Sequence, residues 1–361
     1  MRNKLTLLID FNWLGISRAS VLMKGFTKSN SDTIKEQTAN ELKDLFARSI
    51  NVILNRFKDI DNIVIVSDGG SWRKQLPIPK CLENVIYKGN RSQTNELDWD
   101  LIFKTFNEFI EHCKSLGITC TNHINIEGDD WIWYWSRKLN SEGIHTIIWS
   151  SDNDLKQLVQ VDENTQAFTV WYNDKNGLWL PKSINKPFDE FEFFMKPEYI
   201  SPILESVKMN SHKKQLSYID PLEIIMSKIF CGDSGDNIKS IVRYEKNGRT
   251  YRFSEKDYDK IVKELQLDSI DKFLNSFNGI SKYICSLKKY KTYNIKEKDI
   301  LDMLEYNTKL VWLCESVIPD TIIIAMNQQE YKYFDLNNIR SNFKVLVGED
   351  NMIKEIFEGI F

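Results

Sequence analysis

Leu5-Thr6-Leu7-Leu8-Ile9-Asp10 is a largely apolar run that ends in an aspartate. Ile63-Val64-Ile65-Val66-Ser67 leads into Asp68 in the same way, and residues 144–151 lead into Asp152. Short apolar strands are typical of a parallel sheet that is buried on both faces. The carboxyl ends of such strands meet at one edge, where ligands bind. The sequence therefore predicts an α/β fold with an acidic site at that edge.

Segments with helical periodicity separate these strands, which favours an α/β sheet up to about residue 190. Beyond Pro181 and Pro187 the sequence becomes richer in lysine and tyrosine, and its pattern is mainly helical. We expect a helical second part there. The predicted elements of the first part are helices at 31–58, 99–116 and 129–139, a short strand within 118–126, a strand at 144–150, a short helix beginning at 154–159 and a hairpin of 166–172 with 177–180.

The composition indicates a soluble globular protein. Hydrophobic residues make up 42% of the 361 residues and charged residues 27%, with a net charge of −3. No apolar run is long enough to cross a bilayer and no secretion signal is evident, so we expect no membrane association and a cytoplasmic location. The six cysteines form no CxxC pair and the four histidines lack metal-ligand spacing, which disfavours a zinc site.

More acids follow the first three, namely Glu127, Asp129, Asp130 and Asp154, with Asp233 and Asp236 further on. Any one of them is equally well explained as a helix cap or turn residue. Gathered together, however, they would repel one another strongly without a counter-ion, which implies divalent cations. Oxygen ligands select Mg²⁺ or Mn²⁺ over zinc, and hydrolysis at phosphate is the leading hypothesis.

Taken in order, these motifs resemble the structure-specific 5′-nuclease (flap endonuclease) family, and most closely its bacteriophage 5′-3′ exonuclease and phage ribonuclease H branch. The resemblance covers roughly residues 4–240. The motifs that carry it are Asp10, Asp68, Tyr87-Lys88-Gly89-Asn90-Arg91, Glu127-Gly128-Asp129-Asp130, Ser151-Asp152-Asn153-Asp154 and Gly232-Asp233-Ser234-Gly235-Asp236-Asn237-Ile238.

The resemblance implies a PIN-like, mostly parallel central sheet flanked by helices in residues 1–190, with an arch at about 70–100. Residues 191–361 would form a helical DNA-binding and C-terminal domain that contains a helix-turn-helix-type duplex-binding element. Two Mg²⁺ ions are implied, for which Mn²⁺ would substitute. By position, the first would fall on Asp10, Asp68, Glu127 and Asp129, and the second on Asp130, Asp152, Asp154 and Asp236, with Asp233 close by.

The implied activity is phosphodiester hydrolysis near 5′ ends during replication or repair, as 5′-3′ exonuclease, flap endonuclease or primer-removing ribonuclease H. The substrates would be DNA with a 5′ flap or nick, or an RNA–DNA hybrid. Lys88 and Arg91 would reach the scissile phosphate. We further expect a monomer, located in the host cytoplasm if the protein is phage-encoded. The C-terminal apolar residues 353–361 suggest a docking site for a single-strand-binding protein or a sliding clamp. Core packing is the rival interpretation of these residues.

A basic run that follows the last acids is the predicted duplex-binding surface. Lys239, Arg243, Lys246 and Arg249 would contact phosphates without reading bases, although a solvated helix face explains them equally well. The run lacks the glycines with which most family members bind a monovalent ion. A later lysine and tyrosine cluster at 282–293 would extend this surface. Trp72, Arg73 and Lys74 are interpreted either as guides for a single strand or as packing residues.

Rival functions fit the sequence less well. A PIN-type endoribonuclease needs fewer acids and no helical half, and a Toprim enzyme needs a glutamate where Asp10 stands. An aspartyl phosphatase needs a second acid two residues after the first, where this chain has Asn12. A catalytically inactive DNA-junction binder is the non-enzymatic alternative, and the number of acids argues against it.

Overall fold

The computed structural model describes residues 4–23, 31–57, 60–82, 85–90, 97–175, 177–181, 216–293 and 295–333. Arg91 and the apolar residues at 353–361 lie outside these ranges, as does part of the predicted arch.

A mostly parallel sheet lies at the centre of the fold, as predicted. Its strand order is β3-β2-β1-β4-β6-β7-β8, with β5 paired antiparallel to β6 and β7 antiparallel to β6. The strands are β1 (Leu5–Asp10), β2 (Asn62–Val66), β3 (Thr119–Thr121), β4 (His145–Trp149), β5 (Gln160–Val161), β6 (Phe168–Asn173), β7 (Gly177–Pro181) and β8 (Leu216–Ile219).

Helices cover both faces of the sheet and predominate in the described residues after β8. They are α1 (Phe11–Leu22), α2 (Asp32–Arg56), α3 (Trp99–Ser115), α4 (Gly128–Ser141), α5 (Pro221–Cys231), α6 (Glu255–Glu264), α7 (Ile270–Asn275), α8 (Phe277–Ser286), α9 (Lys288–Lys291), α10 (Glu297–Val311) and α11 (Asp320–Asn327). Short 3-10 helices occupy Trp72–Gln75, Lys80–Leu82 and Asn153–Leu158.

The central strands are buried on both faces, which explains their continuous apolar sequence. In β1, Leu7 and Ile9 belong to the core shared with α1, α2 and α3, whereas Leu8 belongs to the core shared with α4. Ile65 and Val66 of β2 alternate in the same way. Successive strand residues face opposite sides of a sheet, so a strand covered on both sides must be apolar throughout.

The sheet does not end at residue 190, where the sequence suggested a boundary. Strand β8 lies at 216–219 and pairs in parallel with β7. The segment after α10 also returns to the first half, where Ile322 and Met326 pack in the same core as Trp131 and Trp135. No helix in the described ranges is long and apolar enough to cross a membrane.

The predicted helix-turn-helix at the basic run is wrong. Residues 243–252 form an antiparallel hairpin of β9 (Arg243–Lys246) and β10 (Arg249–Arg252). Asn247 and Gly248 in its turn both have positive φ, of 50° and 68°. An Asn-Gly pair with this geometry gives the two-residue turn that matches the twist of paired strands.

Candidate active site

Three acids lie at the carboxyl edge of the sheet because their strands are parallel neighbours. Strand β1 pairs with β2 on one side and with β4 on the other, so Asp10 lies between the strands that lead to Asp68 and Asp152. Asp10 also caps α1 by accepting from the Trp13 N–H at 3.1 Å, and the Ser150 hydroxyl donates to it at 2.6 Å. The same side chain therefore caps α1 and belongs to the acidic cluster.

Burial raises the pKa of Asp10 to about 7, against the opposing effect of the Ser150 hydrogen bond, and the charges of Asp68 and Asp152 raise it further. Burial also raises the pKa of Asp129, and Asp152 again adds to the effect. Acids on separate segments therefore lie close enough to disfavour each other's ionised form.

Asp68 is held against the start of α4. Its carboxylate accepts from the Asn12 amide at 2.8 Å and from the Gly128 N–H. A Cβ at Gly128 would lie 2.9 Å from Asp68 Oδ1, so glycine allows this close approach without a shift of the Asp68 carboxylate. The glycine between Glu127 and Asp129 thus lets two acidic segments meet.

Glu127 and Asp130 are bound to a buried arginine that the sequence had left ambiguous. The Arg73 guanidinium donates to both oxygens of Asp130, at 2.8 and 2.9 Å, and to Glu127 Oε2 at 2.8 Å. The Trp72 indole donates to Asp130 Oδ2 at 2.9 Å. Arg73 is 2% exposed, which rules out its interpretation as a guide for DNA strands. Both oxygens of Asp130 accept from the buried Arg73, whereas one oxygen of Glu127 accepts from Lys88 instead. This difference favours a supporting role for Asp130 over metal ligation.

Lys88 reaches into the acidic cluster. Its ammonium forms an ion pair with Glu127 and lies 3.7 Å from Asp236 Oδ2. Burial alone would lower the pKa of Lys88, but Glu127 raises it well above its usual range. Burial would likewise raise the pKa of Glu127, but Lys88 and Arg73 lower it to about 2.

A second lysine joins the remaining acids. Lys228 on α5 forms ion pairs with Asp154 and with Asp233, and it is a residue the sequence analysis missed. Burial would raise the pKa of Asp233, but the hydrogen bond from Lys228 lowers it. Asp152 accepts from the Asp154 N–H at 2.8 Å and thereby caps the 3-10 helix that begins at Asn153.

Hydrogen bonds fasten the segment that carries Lys88 to the loop that carries Asp236. The Asn237 amide donates to the Ile86 carbonyl at 2.8 Å, and the Lys88 N–H donates to the Asp236 carbonyl at 2.9 Å. The Asn90 amide donates to the Ser234 carbonyl at 2.8 Å. Lys88 and Asn237 both adopt left-handed φ, of 56° and 59°. We call these contacts the 86–237 clamp; they fix the position of Lys88.

The donor set of the site fits a hard divalent cation, since it consists of carboxylate oxygens. In the described ranges, however, no three acidic, histidine or cysteine side chains are arranged as metal ligands. Lys88, Lys228 and Arg73 instead balance the carboxylate charges. Of the predicted basic residues, Lys239 follows Asp236 by three residues and donates to the Asn237 side chain. Arg243, Lys246 and Arg249 lie on the 243–252 hairpin.

Known 5′-3′ exonucleases are similar to this chain in sequence. The family model for the N-terminal resolvase-like domain of 5′-3′ exonucleases matches residues 16–189. A 5′-3′ exonuclease of Mycoplasmopsis pulmonis is 27% identical over 263 residues, which are 72% of this chain and 70% of that protein. A 5′-3′ exonuclease of Buchnera aphidicola is 23% identical over 163 residues, 45% of this chain and 52% of that protein.

A solved structure shares the fold. A variant of the bacteriophage T5 flap endonuclease, crystallised with DNA and metal ions, has a TM-score of 0.50 and 17% identity over 95% of this chain and 99% of that one. The fold is therefore that of the PIN-like flap nucleases. The family match and the curated relatives support a 5′-nuclease family of 5′-3′ exonucleases and flap endonucleases for this chain.

Some contacts at the site had no signal in the sequence. Arg73 precedes Asp130 by 57 residues, and Lys228 follows Asp154 by 74. Nothing local connects either pair. Asn237 was quoted within a motif, but its role in the clamp depends on where residues 86–90 fold.

Proposed function

We propose that this protein is a Mg²⁺-dependent structure-specific 5′-nuclease that hydrolyses phosphodiesters near 5′ ends. The observation that carries this proposal is the convergence of acids from the ends of three sheet strands, from the start of α4 and from the 232–237 loop beside two lysines. Among the functions weighed, only the two-metal nucleases need so many carboxylates at one edge.

Asp10, Asp68, Glu127 and Asp129 would hold one Mg²⁺, and Asp152, Asp154 and Asp236 a second, with Asp233 beside it. When bound, such ions activate water and stabilise the leaving oxygen of an in-line displacement. Asp130 would hold Arg73 in position through its bidentate ion pair, and the charge of Arg73 helps to keep Glu127 ionised.

Lys88 supplies a cation that is fixed before substrate arrives. Its charge can offset the negative charge that develops on the phosphoryl oxygens, and a preorganised cation needs no rearrangement during the reaction. Arg91 would act beside it. The contact between Lys88 and Glu127 implies that Lys88 exchanges a carboxylate partner for a phosphate oxygen when substrate binds.

We infer that the substrates are DNA with a 5′ flap or nick and RNA–DNA hybrids, processed by a cytoplasmic monomer in replication or repair. The T5 enzyme's crystallisation with DNA supports the DNA substrate. A single-strand-binding protein or sliding clamp as partner remains a proposal that rests on sequence alone.

Parallel cleavage of end-labelled flap, nick and hybrid substrates tests the proposal, with Mg²⁺ or with EDTA. We expect Mg²⁺-dependent release of 5′ products by the wild type, and no cleavage but retained DNA binding by Asp154→Ala. Full activity of Asp154→Ala, or activity in EDTA, would refute the assignment. Cleavage confined to single-stranded RNA would favour the PIN-type endoribonuclease, and binding without any cleavage the junction binder.

A further inference from the structure

The 243–252 hairpin carries more positive charge than a two-stranded ribbon favours. Its register places Arg243 opposite Arg252 and Lys246 opposite Arg249. Like charges directly opposite each other on paired strands are destabilising. The single acid of the hairpin, Glu245, already accepts a hydrogen bond from the Thr250 hydroxyl. A bound polyanion would relieve this repulsion.

One face of the hairpin is also aromatic. Residues two apart in a strand share a face, so Tyr244 and Lys246 lie on the same side as their partners Tyr251 and Arg249. The rings of Tyr244 and Tyr251 are stacked, with centroids 5.5 Å apart and planes at 12°. Tyr251 is 41% exposed. The face therefore combines a stacked aromatic pair with two cations.

The stack continues into the helical domain, which makes it rigid. Tyr293 also stacks on Tyr244, with centroids 4.0 Å apart and planes at 24°. Tyr244 also meets the edge of the fully buried Tyr290, at 6.1 Å. Tyr251, Tyr244 and Tyr293 thus form a three-ring column, which we call the tyrosine column, fixed to the core at one side.

Lys246 lies beside this column. Its ammonium hydrogen-bonds the Tyr293 hydroxyl, which raises the pKa of Lys246. Helix α9, which ends two residues before Tyr293, adds the exposed Lys288 and Lys291. Through Tyr293 and Tyr290, the lysine and tyrosine cluster noted in the sequence contacts the hairpin.

We propose that the tyrosine column and the cations around it bind a single strand of nucleic acid, with an unpaired base stacked on Tyr251. Aromatic rings and cations in alternation are how proteins hold unpaired strands without reading their sequence. Bases inside a duplex are already stacked on one another and offer no free face to such a ring. An acidic protein segment would satisfy the charges but would gain nothing from the column.

This inference deepens the proposed function, since it concerns which part of a branched substrate the hairpin holds. Its test does not depend on cleavage. The full-length protein is kept in EDTA, and its binding to a fluorescent 12-mer of thymidylate is measured by anisotropy. The same measurement uses a 12-mer with the same backbone but abasic sites throughout, which keeps the charge and removes the bases.

Tyr251→Ala should weaken thymidylate binding about fivefold or more, because stacking of a base on an aromatic ring typically contributes at least that much. It should leave binding of the abasic strand unchanged. Tyr251→Phe should bind like the wild type, because it keeps the ring. Arg249→Ala should weaken both strands and reduce the salt dependence of binding.

Tyr333→Ala is the matched control, since Tyr333 is 60% exposed and lies outside the hairpin. Equal effects of Tyr251→Ala and Tyr333→Ala would overturn the proposal. It would also be overturned if Tyr251→Ala weakened binding of the thymidylate and abasic strands equally. If polyglutamate displaced both strands alike and Tyr251→Ala had no effect, the surface would instead be one that binds acidic proteins. Strand binding and cleavage are tested separately. If a variant that has lost strand binding still cleaves a nicked substrate, the nuclease assignment is unaffected. If the wild type does not cleave, only the nuclease assignment is rejected.

Discussion

At the scale of single residues, the site places carboxylates where their ionised forms are unfavourable without a bound cation. Asp10 has a pKa raised to about 7, mainly by burial. A carboxyl group whose pKa is raised by folding stabilises the folded state while it is protonated. That stabilisation is complete below the pKa of the unfolded chain, near 4, and is lost as the pH rises towards 7.

Asp10→Asn should therefore raise the melting temperature of the metal-free protein at pH 7.5 by about 2 °C or more and change it little at pH 4. Asparagine can still cap α1 through its side-chain oxygen. Thermal unfolding in EDTA at the two pH values measures the difference. An identical shift of the melting temperature at pH 4 and pH 7.5 would show that the pKa of Asp10 is not raised in the folded protein.

Asp130 and Asp129 are adjacent in sequence but differ in what they hold. Asp130→Ala should lower the free energy of unfolding by about 3–5 kcal/mol, because it leaves the buried Arg73 without its bidentate partner. Asp129→Ala should cost much less, because the pKa of Asp129 is raised and its charge is unfavourable in the metal-free protein. Urea denaturation in EDTA compares the two variants, and equal losses would argue against the Arg73 anchor.

The sequence was informative about the acids and uninformative about their partners. Asp10 and Asp68 could be found because each ends an apolar strand, and strand ends converge in a parallel sheet. Arg73 could not be assigned, since an arginine beside Trp72 resembles a DNA contact as closely as a buried ion pair. Only the tertiary fold, which brings Asp130 to it, decides between them.

At the scale of elements, the 86–237 clamp determines where Lys88 lies. Asn237→Gly keeps the left-handed backbone, which glycine adopts without strain, and removes the side-chain amide that donates to Ile86 and accepts from Lys239. We expect the single-turnover rate of flap cleavage to fall about tenfold while the dissociation constant for DNA changes little, because Lys88 loses its preorganised position.

The control for this prediction is Gln266→Gly, at another left-handed position, with φ 50° in the helical half. It should cleave like the wild type. If Asn237→Gly instead weakened DNA binding and left the cleavage rate of bound substrate unchanged, the 86–237 clamp would serve substrate binding alone.

The hairpin shows how a resemblance can override a local signal. The chain at 243–252 alternates around Asn247-Gly248, which by itself predicts a hairpin. The expectation of a helix-turn-helix came from the family instead. The bounds of α2, α3 and β4 were predicted closely, because long periodic segments and buried strands carry their own pattern.

At the scale of the whole molecule, the chain's later part returns to complete the first. Beyond α11, the Tyr331 hydroxyl hydrogen-bonds the Thr6 hydroxyl at 2.8 Å, and the Lys332 N–H donates to the Thr119 hydroxyl at 2.9 Å. Together with β8, these contacts join the sheet to residues that the sequence assigned to a second domain. Such pairings across 200 residues or more have no periodicity from which to predict them.

Met326→Ala should therefore destabilise the nuclease half, by about 2–5 kcal/mol, as expected when a buried side chain is truncated. Met326 is fully buried against the α4 core, whereas Ile324 on the same helix is 58% exposed. Ile324→Ala should change stability by about 0.5 kcal/mol or less. Urea denaturation followed by tryptophan fluorescence measures both. Equal effects would mean that α11 does not pack as described.

We propose that acids from distant parts of the chain hold two divalent cations in one pocket. Anomalous diffraction from crystals soaked in Mn²⁺ tests it directly. We predict two manganese peaks about 4 Å apart, one near Asp10, Asp68 and Asp129 and one near Asp152 and Asp154, with Lys228 displaced from Asp154. Well-ordered crystals that bind Mn²⁺ only elsewhere, with the Lys228 ion pairs intact, would contradict it.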